Sequence, residues 1–313
     1  MVLRLLLILL VCLLPVAAPT AANPLPSGEA LSLAWRADSA VLAVGTEGGV
    51  TLYDPLRGAL IGRLDEPLAA SGGTAALAWS PDGEQIAAAR YDGVIRLWRV
   101  RDGVRRLTLR GHIGAVNGIL WSPDGGLIAS VGDDFTVRLW QATDGALQQT
   151  LSKHRSRAIC LVFTPDGSGL VSGGADNRVL LWRVADGSSP NNPQAHRDEV
   201  YELAYAPDGT RFASGGADGT VRVWRASGEP LLAFTHGAPV IGLGWDGNFV
   251  LSAGRDGVLS VWDTTQRLDQ PVRRTETGMA LKRAALSPNG AWLALLSVEG
   301  ALHVLKREAF LPN

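Results

Sequence analysis

Residues 207 to 224 read PDGTRFASGGADGTVRVW. Pro207, Asp208 and Gly209 make a tight turn, because proline presets φ, the aspartate side chain accepts backbone amides and glycine tolerates a positive φ. A short run follows to Gly216, a second turn falls at Ala217 to Gly219, and a β-branched run ends on Trp224. Two strands joined by a turn are the reading. The same line recurs along the chain. Aligned on the closing aromatic, the copies end at Tyr53, Trp98, Trp140, Trp182, Trp224 and Trp262, with Leu305 closing a degenerate seventh. Their spacing of 38 to 45 residues is the period of a four-stranded propeller blade.

The first turn returns as SPDG at 80–83, SPDG at 122–125, TPDG at 164–167 and SPNG at 287–290, and it shrinks to WDG at 245–247, which shortens the sixth copy. After each closing aromatic comes a further turn, such as TDG at 143–145, and a fourth run, such as ALQQTL. Strands this short cannot cover both faces of their own sheet, so stacking neighbouring sheets around a ring is the economical way to bury them. The predicted fold is all-β: one seven-bladed propeller of four-stranded antiparallel blades over 30–313, after an N-terminal signal segment.

Composition narrows the function classes. Asp plus Glu number 30 against 29 Lys plus Arg, so no net field draws the chain onto nucleic acid. The leader MVLRLLLILLVCLLPVAAPTAA carries one arginine, an apolar run and a small-residue end, as a secretory signal does. Residues 1–22 are therefore expected to be a signal peptide cleaved after Ala22 or Ala18, with 23–29 a short linker. Its alternative is a retained, outward-facing membrane anchor, although Pro15 shortens the apolar helix below the roughly 20 residues that a span requires. Val11 before Cys12 argues against acylation at that cysteine. With Cys12 removed, Cys160 has no partner for a disulfide, and its setting in AICLVF marks a buried, inert thiol.

Between the turns runs a second pattern. His112, Ser130, Asp134 and Trp140 form one set; His154, Ser172, Asp176 and Trp182 a second; His196, Ser214, Asp218 and Trp224 a third; His236, Ser252, Asp256 and Trp262 a fourth. Serine to aspartate is four residues and aspartate to tryptophan six in every set. These residues resemble the tetrads of the WD-repeat β-propeller family, over about residues 30 to 305, and the chain is identified as an exported, bacterial-type member. The resemblance implies one tetrad inside each blade. Hydrogen-bond accounting gives the reason: a buried indole N–H needs an acceptor, a serine hydroxyl accepts and passes the chain on, and an imidazole links it to a carboxylate. Four regular copies argue for structure rather than for a Ser-His-Asp catalytic triad, which is needed once. Blades one, two and seven depart from the pattern, with Glu47 and Tyr53, Ala70 and Ala88, and Glu299 and Leu305 at tetrad positions. Apolar packing is expected to hold them. Blade seven is also expected to close poorly, with at most a short fourth strand from Ala309–Leu311 or from residues near Leu25.

The chemistry-bearing residues are then used up. The tetrads absorb four histidines and His303 lies in a strand; there is no paired CxxC, phosphate-binding loop or dinucleotide motif. No enzyme activity, metal or cofactor is expected. Arg96, Arg99, Arg101, Arg105, Arg106 and Arg110 cluster in blade two and read as a solvated strand face. By resemblance, the chain is expected to act outside the cytoplasm, secreted or periplasmic, as a monomeric platform for a protein partner. The binding face would be the end of the ring bearing the d–a and b–c loops: Tyr91, Asp133, Phe135, Arg155, Arg157, Asn177, Arg197, Asp198, Glu199 and Arg255. The alternatives are a binder of a small ligand or glycan at the channel mouth, or a propeller enzyme. Membrane contact is expected only where the leader is retained, and nucleic acid is not expected as a partner.

Overall fold

The computed structural model describes residues 30–65, 72–190, 193, 195–266 and 268–311. The leader, the linker and any strand near Leu25 therefore lie outside the described residues. The rest forms seven antiparallel sheets, each a meander whose neighbouring strands follow one another in sequence. Lettered a to d from the channel outward, blade one is Ser32–Trp35, Leu42–Thr46, Gly49–Asp54 and Ala59–Asp65, and blade two is Thr74–Trp79, Gln85–Arg90, Val94–Arg99 and Val104–Arg110. Blade three comprises Val116–Trp121, Leu127–Gly132, Val137–Gln141 and Leu147–Leu151; blade five Val200–Tyr205, Arg211–Gly216, Thr220–Arg225 and Pro230–Thr235; blade six Val240–Asp246, Phe249–Gly254, Val258–Asp263 and Arg273–Glu276. Blade four (Ala158–Phe163, Gly169–Gly174, Val179–Arg183) and blade seven (Leu281–Leu286, Trp292–Ser297, Leu302–Lys306) show three strands each among the described residues.

The two thin blades have local causes. In blade four the segment that follows strand c contains Pro190 and Pro193, which have no amide to offer a ladder; among the described residues it meets strand c at its two ends, where the Arg183 amide donates to Ser188 O at 2.8 Å and the Val179 amide to Pro193 O at 3.4 Å. In blade seven the chain turns into a 3₁₀ helix at Arg307–Ala309 instead of running back. Phe310 and Leu311 are then buried among Ile241, Leu251, Val261, Leu293 and Leu305, between blades six and seven. Arg273, in strand d of blade six, donates to the carbonyls of Leu311 (2.6 Å) and Ala309 (3.2 Å). The C-terminal residues expected to supply a strand thus form a plug.

Core apolar residues gather in seven clusters, each built across a seam between neighbouring blades. One contains Leu42, Val44 and Tyr53 of blade one with Ala294, Leu296 and Leu302 of blade seven, so an apolar seam closes the ring. Burying a leucine or valine contributes about 1.5–3 kcal/mol, and most of the stability therefore sits between blades rather than within them. Two further devices mark the seams. Indoles at the end of strand a donate to the strand-a carbonyl of the preceding blade: Trp79 to Ala34 (3.1 Å), Trp245 to Ala204 (3.0 Å) and, across the closure, Trp35 to Ala285 (2.8 Å). The proline-glycine turns also meet. Gly209 has φ +69°, and a β-carbon on it would lie 3.6 Å from the Pro165 ring of the preceding blade; Gly167 faces Pro123 and Gly125 faces Pro81 in the same way.

Candidate functional site

In blade three Trp140 donates its indole N–H to Ser130 Oγ at 2.8 Å, Ser130 Oγ is 2.8 Å from Nε2 of His112, and Nδ1 of His112 is 2.9 Å from both oxygens of Asp134. A carboxylate only accepts, so Nδ1 carries the imidazole proton; Nε2 then accepts from the serine hydroxyl, whose lone pairs receive the indole. Blade four repeats the chain through Trp182, Ser172, His154 and Asp176, and blade five through Trp224, Ser214, His196 and Asp218. Burial holds the His112 and His196 imidazoles below their ordinary value against the pull of Asp134 and Asp218. For the carboxylates burial acts upward, yet donors outweigh it and keep them low: the Thr136 hydroxyl on Asp134, His154 on Asp176, and the Arg197 amide on Asp218.

Each of these carboxylates also reaches the surface loop. Asp134 Oδ2 accepts the amide of Ile113 at 3.1 Å, Asp176 Oδ2 that of Arg155 at 2.9 Å, and Asp218 Oδ2 that of Arg197 at 2.9 Å. The buried chain that starts at an indole therefore ends by holding the residue that follows the tetrad histidine in a d–a loop.

The fourth set differs. Trp262 donates to Ser252 and the serine lies 2.8 Å from Nδ1 of His236, but among the described residues Nε2 has no hydrogen-bond partner and Asp256 stands 3.9 Å away. The Asp256 side chain is 41% exposed, against 5–8% for its three counterparts. The loop amide explains it: Gly237 N donates to Gly219 O at 3.1 Å rather than to the carboxylate, so nothing draws Asp256 inward. Equal spacing thus marks four sets while three are fully connected.

Blade two is not held by apolar packing alone. Arg90 ends its strand b, where blades three to six have Gly132, Gly174, Gly216 and Gly254; a β-carbon on any of these glycines would touch the tetrad imidazole. In blade two the buried Arg90 side chain reaches Asp92, the carboxylate at the tetrad position, at 3.6 Å, and Arg96 joins the same carboxylate at 3.3 Å. Blade one has the apolar seam expected of it, with the Tyr53 hydroxyl buried and unpartnered among the described residues.

On the loop face, Tyr91 and Phe135 are exposed, and Phe135 and Asn177 sit in b–c turns at φ +66° and +64°. Arg157 pairs with Glu199 at 2.9 Å, Asp133 accepts from Asn117 at 2.9 Å, Asp198 caps the Glu199 amide at 2.9 Å, and the Arg255 guanidinium lies 5.9 Å above the Tyr201 ring. Arg155 and Arg197 are exposed on loops whose amides are held from below. One residue escaped the sequence reading. Ile113 is 80% exposed and occupies the position after the tetrad histidine that Arg155 and Arg197 fill in the next two blades. The loops carrying Tyr91, Ile113 and Phe135 adjoin: a β-carbon on Gly93 would meet the Gly114 carbonyl at 2.8 Å, and one on Gly114 would meet Asp133 at 3.2 Å. Three exposed apolar side chains thus stand on neighbouring loops beside two arginines.

In the channel, Arg283 of blade seven donates to Glu202 of blade five at 3.4 Å. Burial pushes the Glu202 carboxyl up to about 7, opposed by Arg283, and raises the Cys160 thiol well above its ordinary value. Cys160 is therefore a protonated thiol at neutral pH, unsuited to nucleophilic attack. Among the described residues no three His, Cys, Asp or Glu side chains gather as a metal site requires.

No curated protein matches this sequence. The family model described as WD domain, G-beta repeat matches residues 67–99, 103–141, 145–183, 188–225 and 228–263. These five segments cover more than half of the chain and coincide with the Ser-His-Asp-Trp blades and their neighbour, so the chain belongs to the WD-domain, G-beta-repeat family.

Proposed function

We propose that the protein is a non-catalytic platform that binds a protein partner outside the cytoplasm, through the loop face of blades two to five. Propellers of this family commonly mediate protein interactions and are typically non-catalytic scaffolds. The observation that carries the reading is the tie between tetrad and loop. Ile113, Arg155 and Arg197 project from backbone positions fixed by buried carboxylates, so binding through them costs little ordering entropy. Arginine with a neighbouring aromatic is the usual composition of an interface anchor. The leader sequence supports the location. Export is tested by fusing residues 1–29 to a reporter enzyme active only after translocation.

Arg155 and Arg197 are the residues to reverse in charge, since Arg157 is engaged with Glu199. Partner capture by the Arg155→Glu, Arg197→Glu protein should fall while its melting temperature stays unchanged. Undiminished capture by this variant and by Ile113→Ser would place the partner on another surface.

A further inference from the structure

The outer strands of the blades are chemically unequal. Strand d of blade three (LQQTL) and of blade five (PLLAFT) carries no charge, whereas strand d of blade two reads VRRLTLR, with arginines and no acid. Arg106 and Arg110 on it are exposed, as is Arg63 on the outer strand of blade one. In a chain whose charges nearly cancel, this is a local concentration of one sign. On the same two outer strands, Leu60, Ile61 and Val104 are also exposed. The exposure has a cause in the ring. Leu60 lies opposite Tyr53 and Arg63 opposite Thr51 in the sheet, which sets both on the side facing blade seven. Blade seven has no fourth strand among the described residues to cover that side. A bulge in each outer strand skips Ile61 in blade one and Arg106 in blade two, at equivalent heights on neighbouring blades. The turn that leads into the outer strand of blade two reaches the outer strand of blade one, since a β-carbon on Gly103 would meet Leu64 at 3.8 Å.

We infer that this rim is a second docking surface, separate from the loop face, and that it takes an anionic lipid bilayer. Arginines give a negatively charged headgroup layer its counter-charge, and aliphatic side chains among them enter the headgroup and acyl boundary. The aliphatic residues decide against nucleic acid, whose phosphate backbone gains nothing from Leu60, Ile61 and Val104. Plain solvation explains exposed arginine but gives no role to three exposed aliphatics on the same two strands.

The test is co-sedimentation of the full chain with phosphatidylcholine vesicles, with and without phosphatidylglycerol. The neutral vesicles account for any insertion of the apolar leader. Binding should be stronger to the anionic vesicles and weaken with salt. Arg63→Gln, Arg106→Gln and Arg110→Gln together should reduce the anionic component about 100-fold, and Leu60→Ser with Ile61→Ser about 10-fold, all with unchanged melting temperature. If the triple variant melts early, Arg106→Gln alone, at a solvent-exposed bulge, replaces it with a proportionally smaller loss. Equal binding to both kinds of vesicle overturns the inference, as does wild-type binding by the arginine variants. So does retention of duplex DNA or polyglutamate that the Leu60→Ser, Ile61→Ser protein leaves intact, which would assign the rim to a general polyanion or an acidic protein.

Discussion

The amide of Arg197 donates to Oδ2 of Asp218 at 2.9 Å, so the carboxylate that terminates the hydrogen-bond chain from Trp224 also fixes the exposed loop residue that follows His196. Stability and presentation are coupled at this atom.

Asp218→Ala should therefore lower stability by about 1–3 kcal/mol, because it strands His196 and the Arg197 amide. Asp256→Ala should cost less than about 0.5 kcal/mol, since Asp256 is half-exposed, accepts from the Val258 amide of its own turn and stands 3.9 Å from His236. Chemical denaturation of the two variants checks the contrast; equal losses would mean that blade six closes its network in solution.

Trp224→Ala removes a buried aromatic and a serine partner, with an expected loss of about 3–5 kcal/mol. From sequence alone Trp35, outside any tetrad, would be expected to cost less. The structure reverses this: Trp35 is buried and its indole reaches the Ala285 carbonyl across the closing seam. Trp35→Ala should match Trp224→Ala in melting shift, and Trp35→Phe should recover part of the loss while still lacking the hydrogen bond.

Acid should destabilise the protein in two stages. His112, His196 and His236 have folded values below the ordinary imidazole value, so the stability tied to them is complete above about pH 6.5 and is lost as pH falls through those lower values. Asp134, Asp176 and Asp218 repeat the effect in the carboxylate range. Glu202 acts the other way: raised to about 7, its contribution is complete below its unfolded value and is lost as pH rises through 7. Glu202→Gln should accordingly raise stability at pH 8 by about 1–3 kcal/mol relative to its effect at pH 5. Thermal melts at the two values check the sign.

Phe310→Ala should cost about 3–5 kcal/mol, as a buried aromatic lost from the seam between blades six and seven. Arg273→Ala should shift the melting temperature in the same direction by releasing the Leu311 and Ala309 carbonyls. Hydrogen exchange at residues 302–306 is the local readout, and it should rise in both variants.

The ring and the three connected tetrads were legible because they obey a period, and a period survives reading one residue at a time. Features built by departure from the period were harder. Arg90 was visible as the residue that breaks the run of strand-end glycines, but its pairing with Asp92 is a side-chain contact that the period does not record. Ile113 could have been found by aligning the residue after each tetrad histidine, and Pro190 with Pro193 announced that blade four shows three strands among the described residues. The plug at Phe310 and Leu311 has no repeat to set its phase, and only the cavity between two blades decides its course. Asp256 failed to join its set because of a neighbouring amide's choice of acceptor, which no spacing records.

The proline-glycine turns, in which Pro165 of one blade faces Gly209 of the next, make the three seams from blade two to blade five head-to-tail joints. A single repeat carries both the protruding and the receiving half of that joint, as in any heterologous interface that closes into a ring. Tandem duplication of one such stretch of gene would therefore add a blade already fitted to both neighbours. Only the seam between the first and last copies, secured here by Trp35, Ser39 and Asn289, would have to be invented afresh.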